Sequence, residues 1–264
     1  MLRRTWRPSR WCRRTAALRR AVPTYHGVLG LPFGLAVDAA ALQKAYHAAQ
    51  RAAHPDTHHA AAGTSPSTTP GDVAGASHPS SSDAASVDAN RAYEVLRSRY
   101  RRARYVSQLV RALRRAAAAA DADGGDGRAP APADGASPGD WAEMACDNAG
   151  DDAAEPLPAE FLEEVMGLNE QLFTLDPADE GDAAKLAELN AKVTAACDAY
   201  YVECTATYPL FAPVAEALVA GDAAAVAAAE KAEPGAAAAE ASFHTACLRW
   251  TYYENLARHL HERL

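Results

Sequence analysis

The sequence predicts an all-α protein with an N-terminal helical hairpin, a linker and a C-terminal three-helix bundle. Three observations predict it. Alanine-rich runs with few valines or isoleucines favour helix. Large apolar residues recur at three- and four-residue steps in several segments. No stretch of any length alternates apolar and polar residues as a half-buried strand would. The 264-residue chain is 49% hydrophobic, but much of that is alanine, so a small set of large side chains must carry the packing.

The formal charge of −8 conceals a split. Residues 1–22 hold eight arginines and no carboxylate, with Leu2, Trp6, Trp11 and Leu18 spaced among them. That composition predicts a mitochondrial transit peptide and a mature protein in the mitochondrial matrix; a basic arm for nucleic acid or anionic lipid is the alternative. Removing those eight leaves 18 basic residues against 34 acidic ones, near −16, which argues against a nucleic-acid partner. No apolar run is long enough to span a bilayer. The five cysteines, Cys12, Cys146, Cys197, Cys204 and Cys247, form no CxxC pair and read as structural thiols in a reducing compartment.

After the leader, Pro23 to Pro32 reads as a short helical turn or loop anchored by Tyr25, Val28, Leu29 and Leu31. Asp38 offers an N-cap for a helix over Ala39 to Ala53, with Leu42, Tyr46 and Ala49 on one face and Lys44, His47 and Arg51 on another. Residues 57–87 are rich in Ser, Thr, Pro and Gly and predict a long flexible loop. A second helix is predicted from about Asp83 to Leu113, its outer face carrying Arg91, Arg97, Arg99, Arg101, Arg102 and Arg104. Residues 114–156 predict a linker between two structural units. Beyond it, helical segments are predicted at Pro158 to Leu175, Asp182 to Thr207, Pro209 to about Lys231 and Ala236 to Leu264, with Pro158, Pro177 and Pro209 at their boundaries.

The stretch AAHPDTHHA, Ala52 to Ala60, admits three readings. Pro55 ends the helix near His54, and a histidine suits the negative end of the helix dipole. His54, Asp56, His58 and His59 are also competent metal ligands, as in a metal-binding, hydrolase-like protein, although no HExxH or second ligand set accompanies them. The third reading is a signal for another protein, set by an amphipathic basic-faced helix, His-Pro-Asp, a loop and a returning amphipathic helix.

That order resembles the J-domain of DnaJ-type co-chaperones. LQKAYHAAQRAAHPD is similar to the family's second helix with its tripeptide. In DANRAYEVLRSRYRRARYVSQL, Asn90, Ala92, Tyr93, Leu96, Arg104 and Tyr105 are similar to its third. YHGVLGLP, the absence of a Gly/Phe region and of cysteine repeats, and PAEFLEEVMGLNEQL after the linker further resemble the J-type co-chaperones of iron–sulfur cluster biogenesis, as does LRWTYYENLARHL at the end. The resemblance covers about 25–113 and 157–264. Ala53, Thr57, Glu163 and the long insert depart from the family pattern.

The resemblance implies a J-domain over 23–113 and a scaffold-binding domain over 157–264. It implies no catalytic residues, metal or cofactor in this chain. Its partners would be an ATP-bound chaperone of the seventy-kilodalton heat-shock class, met by His54, Pro55, Asp56, Lys44 and Arg51, and an iron–sulfur cluster scaffold protein. The scaffold would be met by Phe161, Leu162, Met166, Leu168 and Tyr252, with Trp250 as the rival register for the aromatic. By spacing alone, Phe161, Leu162 and Met166 read equally well as bundle core. A helical adaptor without effect on ATP hydrolysis is a further alternative.

Overall fold

The computed structural model describes residues 22–53, 81–122 and 157–264. The predicted leader up to residue 21, the tripeptide with the insert as far as residue 80, and residues 123–156 lie outside them. The fold is all-α, and no strand occurs among the described residues. In chain order the helices are α1 (Tyr25–Val28), α2 (Ala39–Ala53), α3 (Ser81–Arg97), α4 (Arg99–Ala122), α5 (Ala159–Thr174), α6 (Glu180–Thr207), α7 (Ala212–Ala220), α8 (Ala223–Ala232) and α9 (Ala236–Arg263), with a 3₁₀ turn at Tyr208–Leu210.

α2 starts as predicted: Asp38 Oδ2 accepts from the Ala41 N–H at 2.8 Å, satisfying one orphan donor of the first turn. Three other boundaries correct the prediction. The helix predicted from about Asp83 starts at Ser81, so the predicted loop ends before it rather than at residue 87, because Pro79 is the last breaker before a run containing Ala84 and Ala85. The single helix predicted over 83–113 is two helices that meet at Ser98, whose hydroxyl accepts from the Arg101 N–H at 3.3 Å and so starts α4 afresh. α4 then runs to Ala122, through alanines that had suggested a linker.

The C-terminal half is likewise more divided than a three-helix bundle. Asp179 caps α6 by accepting from the Gly181 and Asp182 N–H groups. The segment predicted from Pro209 to Lys231 breaks at Gly221, which ends α7 at φ 69°, a conformation cheap only for glycine. Asp222 immediately caps α8 by accepting from Ala224 and Ala225.

The described residues form two apolar clusters. Tyr25, Leu42, Leu96, Leu109 and Leu113 from the N-terminal half join Phe211, Leu218, Phe243 and Trp250 in the first. Phe161, Val165, Leu168 and Leu172 of α5 join Leu186 and Val193 of α6 and Tyr253, Leu256 and Leu260 of α9 in the second. The N-terminal helices therefore share their core with α7 and α9 instead of standing apart from the bundle. Tyr100 meets Trp250 edge-on at 5.5 Å and donates its hydroxyl to Thr251 Oγ1 at 3.0 Å. Along the same seam Arg114 pairs with Glu240 at 2.7 Å and with Glu230, and Ser107 Oγ lies 2.8 Å from His244 Nδ1.

α1 is a short polar strap beneath this core. Thr24 accepts from the Gly27 N–H, the Tyr25 N–H donates to the Tyr105 hydroxyl at 3.1 Å, and the fully buried His26 donates from Nε2 to the Gly34 carbonyl at 2.9 Å. That bond leaves Nδ1 unprotonated and without a partner. Burial above all lowers the His26 pKa from its ordinary 6.5 to about 4. Between about pH 4 and 6.5 the unfolded chain thus binds the extra proton, so this contribution is complete above 6.5 and shrinks as pH falls through that window. We expect the stability lost between about pH 7 and pH 4.5 to be about 2–3 kcal/mol larger in the native protein than in His26→Gln, measured by urea denaturation.

Candidate functional site

Two surfaces carry the residues singled out in the sequence. The first is the α2/α3 hairpin. Tyr46 donates its hydroxyl to Asn90 Oδ1 at 2.9 Å, Gln50 donates to the same oxygen at 2.8 Å, and Ser86 donates to Gln50 Oε1 at 3.2 Å. Position 46 facing 90, and 50 facing 86, makes the helices antiparallel. The Tyr46 and Tyr93 rings stack at 4.4 Å, and Leu42, Ala92 and Leu96 are buried between the elements. With that face committed to α3, Lys44 and Arg51 stand exposed, two turns apart on α2.

His54, Pro55 and Asp56 follow α2 directly in the chain and lie outside the described residues, as do His58 and His59. Among the described residues no group of three His, Cys, Asp or Glu side chains is placed to hold a metal ion. Gln50 was not singled out in the sequence, although its four-residue step from Tyr46 marks it as a neighbour on the same helix face.

The second surface lies on α5. At 100° per residue, Phe161, Val165, Leu168 and Leu172 fall on one side of the helix, and Leu162, Met166 and Phe173 fall within about 40° of one another on an adjacent side. The first set is core: Phe161 is 9% exposed and Leu168 3%. The second is a surface stripe: Met166 is 71% exposed and Phe173 67%, with Leu162 half-buried at its start. Phe161 and Leu168, both expected to meet a partner, are thus core side chains: Leu168 is enclosed by α6 and α9, and Phe161 is covered by Tyr252, Tyr253 and Arg249. Phe173 went unnoticed in the sequence, although it lies seven residues, two turns, beyond Met166.

α9 completes this surface. Tyr252 is 40% exposed and meets Phe161 edge-on at 5.7 Å, whereas Trp250 is buried against Tyr100. The exposed aromatic of the last helix is therefore Tyr252. Seven residues on, the His259 ring lies 6.2 Å from that of Phe173. Arg249 sits over the Phe161 ring at 5.6 Å. Tyr253 anchors the base of the surface by donating to Glu164 at 3.0 Å; burial, followed by that bond, raises its phenol pKa. Arg263 donates to the carbonyls of Leu172 and Leu175, satisfying orphan acceptors at the end of α5.

The cysteines on the described elements do not contribute a reactive group. Cys204 and Cys247 are buried with their sulfurs 3.8 Å apart, and burial pushes the half-buried Cys197 thiol up to about 11. No described helix is long and apolar enough to cross a membrane. Compared with family models, curated proteins and solved structures, the chain matches none of them.

The division of α5 into a covered and an open apolar side has a direct consequence for stability. Leu168→Ala should cost about 2–5 kcal/mol, whereas Met166→Ala should stay within about 0.5 kcal/mol of the parent, both measured by urea denaturation.

Proposed function

We propose that the protein is a J-domain co-chaperone of the mitochondrial matrix. It stimulates ATP hydrolysis by a chaperone of the seventy-kilodalton heat-shock class and delivers an iron–sulfur cluster scaffold protein to it. The observation that carries this reading is the sequence His54-Pro55-Asp56 directly after α2, a helix with an exposed Lys44 and Arg51 that is braced antiparallel on α3 through Tyr46, Asn90 and Tyr93. Residues of the J-domain pattern in α3 and α4 hold packing positions: Ala92, Leu96 and Tyr105 are buried, and Asn90 ties the two helices together. The arginine-rich leader supports the mitochondrial location.

The chemistry stays on the chaperone. Pro55 restricts the backbone after the helix end, and the Asp56 carboxylate is suited to a charge-assisted pair with an arginine of the partner. Lys44 and Arg51 steer an acidic chaperone face toward α2. Hydrolysis accelerates only to the degree that these contacts favour the chaperone's hydrolysing conformation over its resting one. The open face of α5 and α9, with Tyr252 at one end and Leu162 and Met166 on the stripe, holds the scaffold protein. Joining both partners on one chain raises the effective concentration of each for the other. The chain brings no cofactor of its own to this role.

Asp56→Ala should abolish stimulation of the chaperone's single-turnover ATPase while helicity and melting temperature stay unchanged. Replacing both Lys44 and Arg51 by alanine should raise the half-saturating concentration, more so at low salt than at high. Full stimulation by Asp56→Ala would rule the J-domain reading out.

A further inference from the structure

The arginines of α4 fall into two groups. The helix holds seven of them and one carboxylate, Asp121. Three serve the fold: Arg99 pairs with Asp198 at 3.1 Å, the buried Arg102 donates to the Leu96 carbonyl, and Arg114 pairs with Glu230 and Glu240. The other four, Arg101, Arg104, Arg111 and Arg115, stand at i, i+3, i+10 and i+14 with Gln108 between them. At 100° per residue these five positions lie within about 80° of one another, so they form a row that rises about 21 Å along the helix. Arg97, exposed at the end of α3, extends the row by one four-residue step.

The row lies on the outer side of the seam between α4 and α9. On α4, Arg99 faces α6 through Asp198, Tyr100 and Ser107 face α9 through Thr251 and His244, and Arg101 and Arg104 turn further away from α6. On α9, Cys247 faces α6 through Cys204, His244 and Thr251 face α4, and Ala241 and Leu248 turn away to the same side. The guanidinium row is therefore flanked by a neutral strip, in which Ala241 is exposed and Leu248 half-buried. Arg101, Arg104 and Arg115 are exposed; Arg104 donates to the Tyr100 hydroxyl at 3.2 Å, and Arg111 reaches His244. Glu254 bears on the start of the row, shared by Arg101 with Arg99 and Arg258. Beyond it, residues 102–120 contain no carboxylate.

This positive row stands on a chain that is near −16 without its first 22 residues. A nucleic-acid duplex or an anionic bilayer is broad enough to meet the acidic surfaces as well. A single helix about 10 Å across stays within the roughly 8 Å over which the row's own field reaches at physiological salt. Guanidinium groups spaced three and four residues apart match carboxylates at the same spacing on a facing helix, and each such pair can be bidentate.

We propose that the outer row of α4 docks a partner protein through an acidic helix carrying Asp or Glu at three- and four-residue steps. Because α3 runs antiparallel to α2, with Asn90 facing Tyr46 and Ser86 facing Gln50, the row begins at the end of the hairpin opposite His54-Pro55-Asp56. It uses no residue of α5. The inference therefore stands independently of the J-domain reading.

The test uses the full-length protein and two alanine-based peptides of about 18 residues and identical composition. One carries glutamates at i, i+3, i+7, i+10 and i+14; in the other the same glutamates are scattered around the helix. Fluorescence anisotropy should show tighter binding of the patterned peptide, weakening with added salt. Arg101→Ala with Arg104→Ala should reduce its affinity about tenfold, whereas Lys192→Ala with Lys231→Ala, the same loss of charge elsewhere on the surface, should leave it unchanged. Equal binding of the two peptides, or equal behaviour of the two double variants, would overturn the proposal. Vesicles of anionic phospholipid that retain the parent but not the Arg101/Arg104 variant, with neither peptide bound, would assign the row to a membrane and also overturn it. Self-association lost in that variant, again without peptide binding, would assign it to a second copy with the same consequence.

Discussion

The ring of Tyr100, edge-on to Trp250 with its hydroxyl on Thr251, marks the junction on which the rest of the molecule depends. α4 has 24 residues, whereas the α2/α3 hairpin is built of helices of 15 and 17. The apolar face of α4 continues through Val106, Leu109, Val110 and Leu113, well beyond the reach of a hairpin partner. Leaving each such side chain in water would forgo about 1.5–3 kcal/mol. α7, α8 and the first half of α9 supply the cover, and the N-terminal helices are thereby fixed to the C-terminal ones by a common core. In the proposed function, the two partners would then be presented in a set geometry, because α2 and α9 are joined through one packed core rather than carried on tethered modules.

A junction built from apolar surface alone would leave rotation of the helices loosely specified; the polar groups at its edges remove that freedom. Arg114 reaches both Glu230 and Glu240, and Ser107 and Arg111 address the two nitrogens of His244. At the base, His26 and the Tyr25 backbone tie the strap to Gly34 and Tyr105. Buried polar groups are costly when unpaired and directional when paired, so each of these bonds penalises alternative registers more than it adds net stability.

Much of this was legible in the chain. The apolar steps at Leu42, Ala92, Leu96, Val106 and Leu109 marked the buried faces, and Asp38 and Pro158 marked helix starts, because periodicity and capping act locally. The misreadings share a cause. Ser98 divides two helices without interrupting the apolar period, since one side-chain cap suffices to restart a helix. Gly221 and Asp222 were hidden in an alanine-rich run that reads as continuous. The alanines after Leu113 resembled a linker because they bury little, yet alanine needs no burial to favour helix. On α5 the sequence held two apolar sides, and nothing local distinguishes the covered one from the open one. That choice is made by α6 and α9, which arrive from later in the chain.

The open side of α5 persists because its surroundings offset the usual liability of exposed apolar surface. A bare line of Leu162, Met166 and Phe173 would invite any hydrophobic neighbour, whereas the exposed Glu163 and Glu170 beside it disfavour acidic ones. The same charges keep the helix soluble and bias it toward its fold, since Glu160 in the first turn of α5 favours the positive end of the helix dipole. Stability therefore constrains little of this face: the core beneath it is complete without Met166 and Phe173, and their side chains are free to be set by whatever they meet.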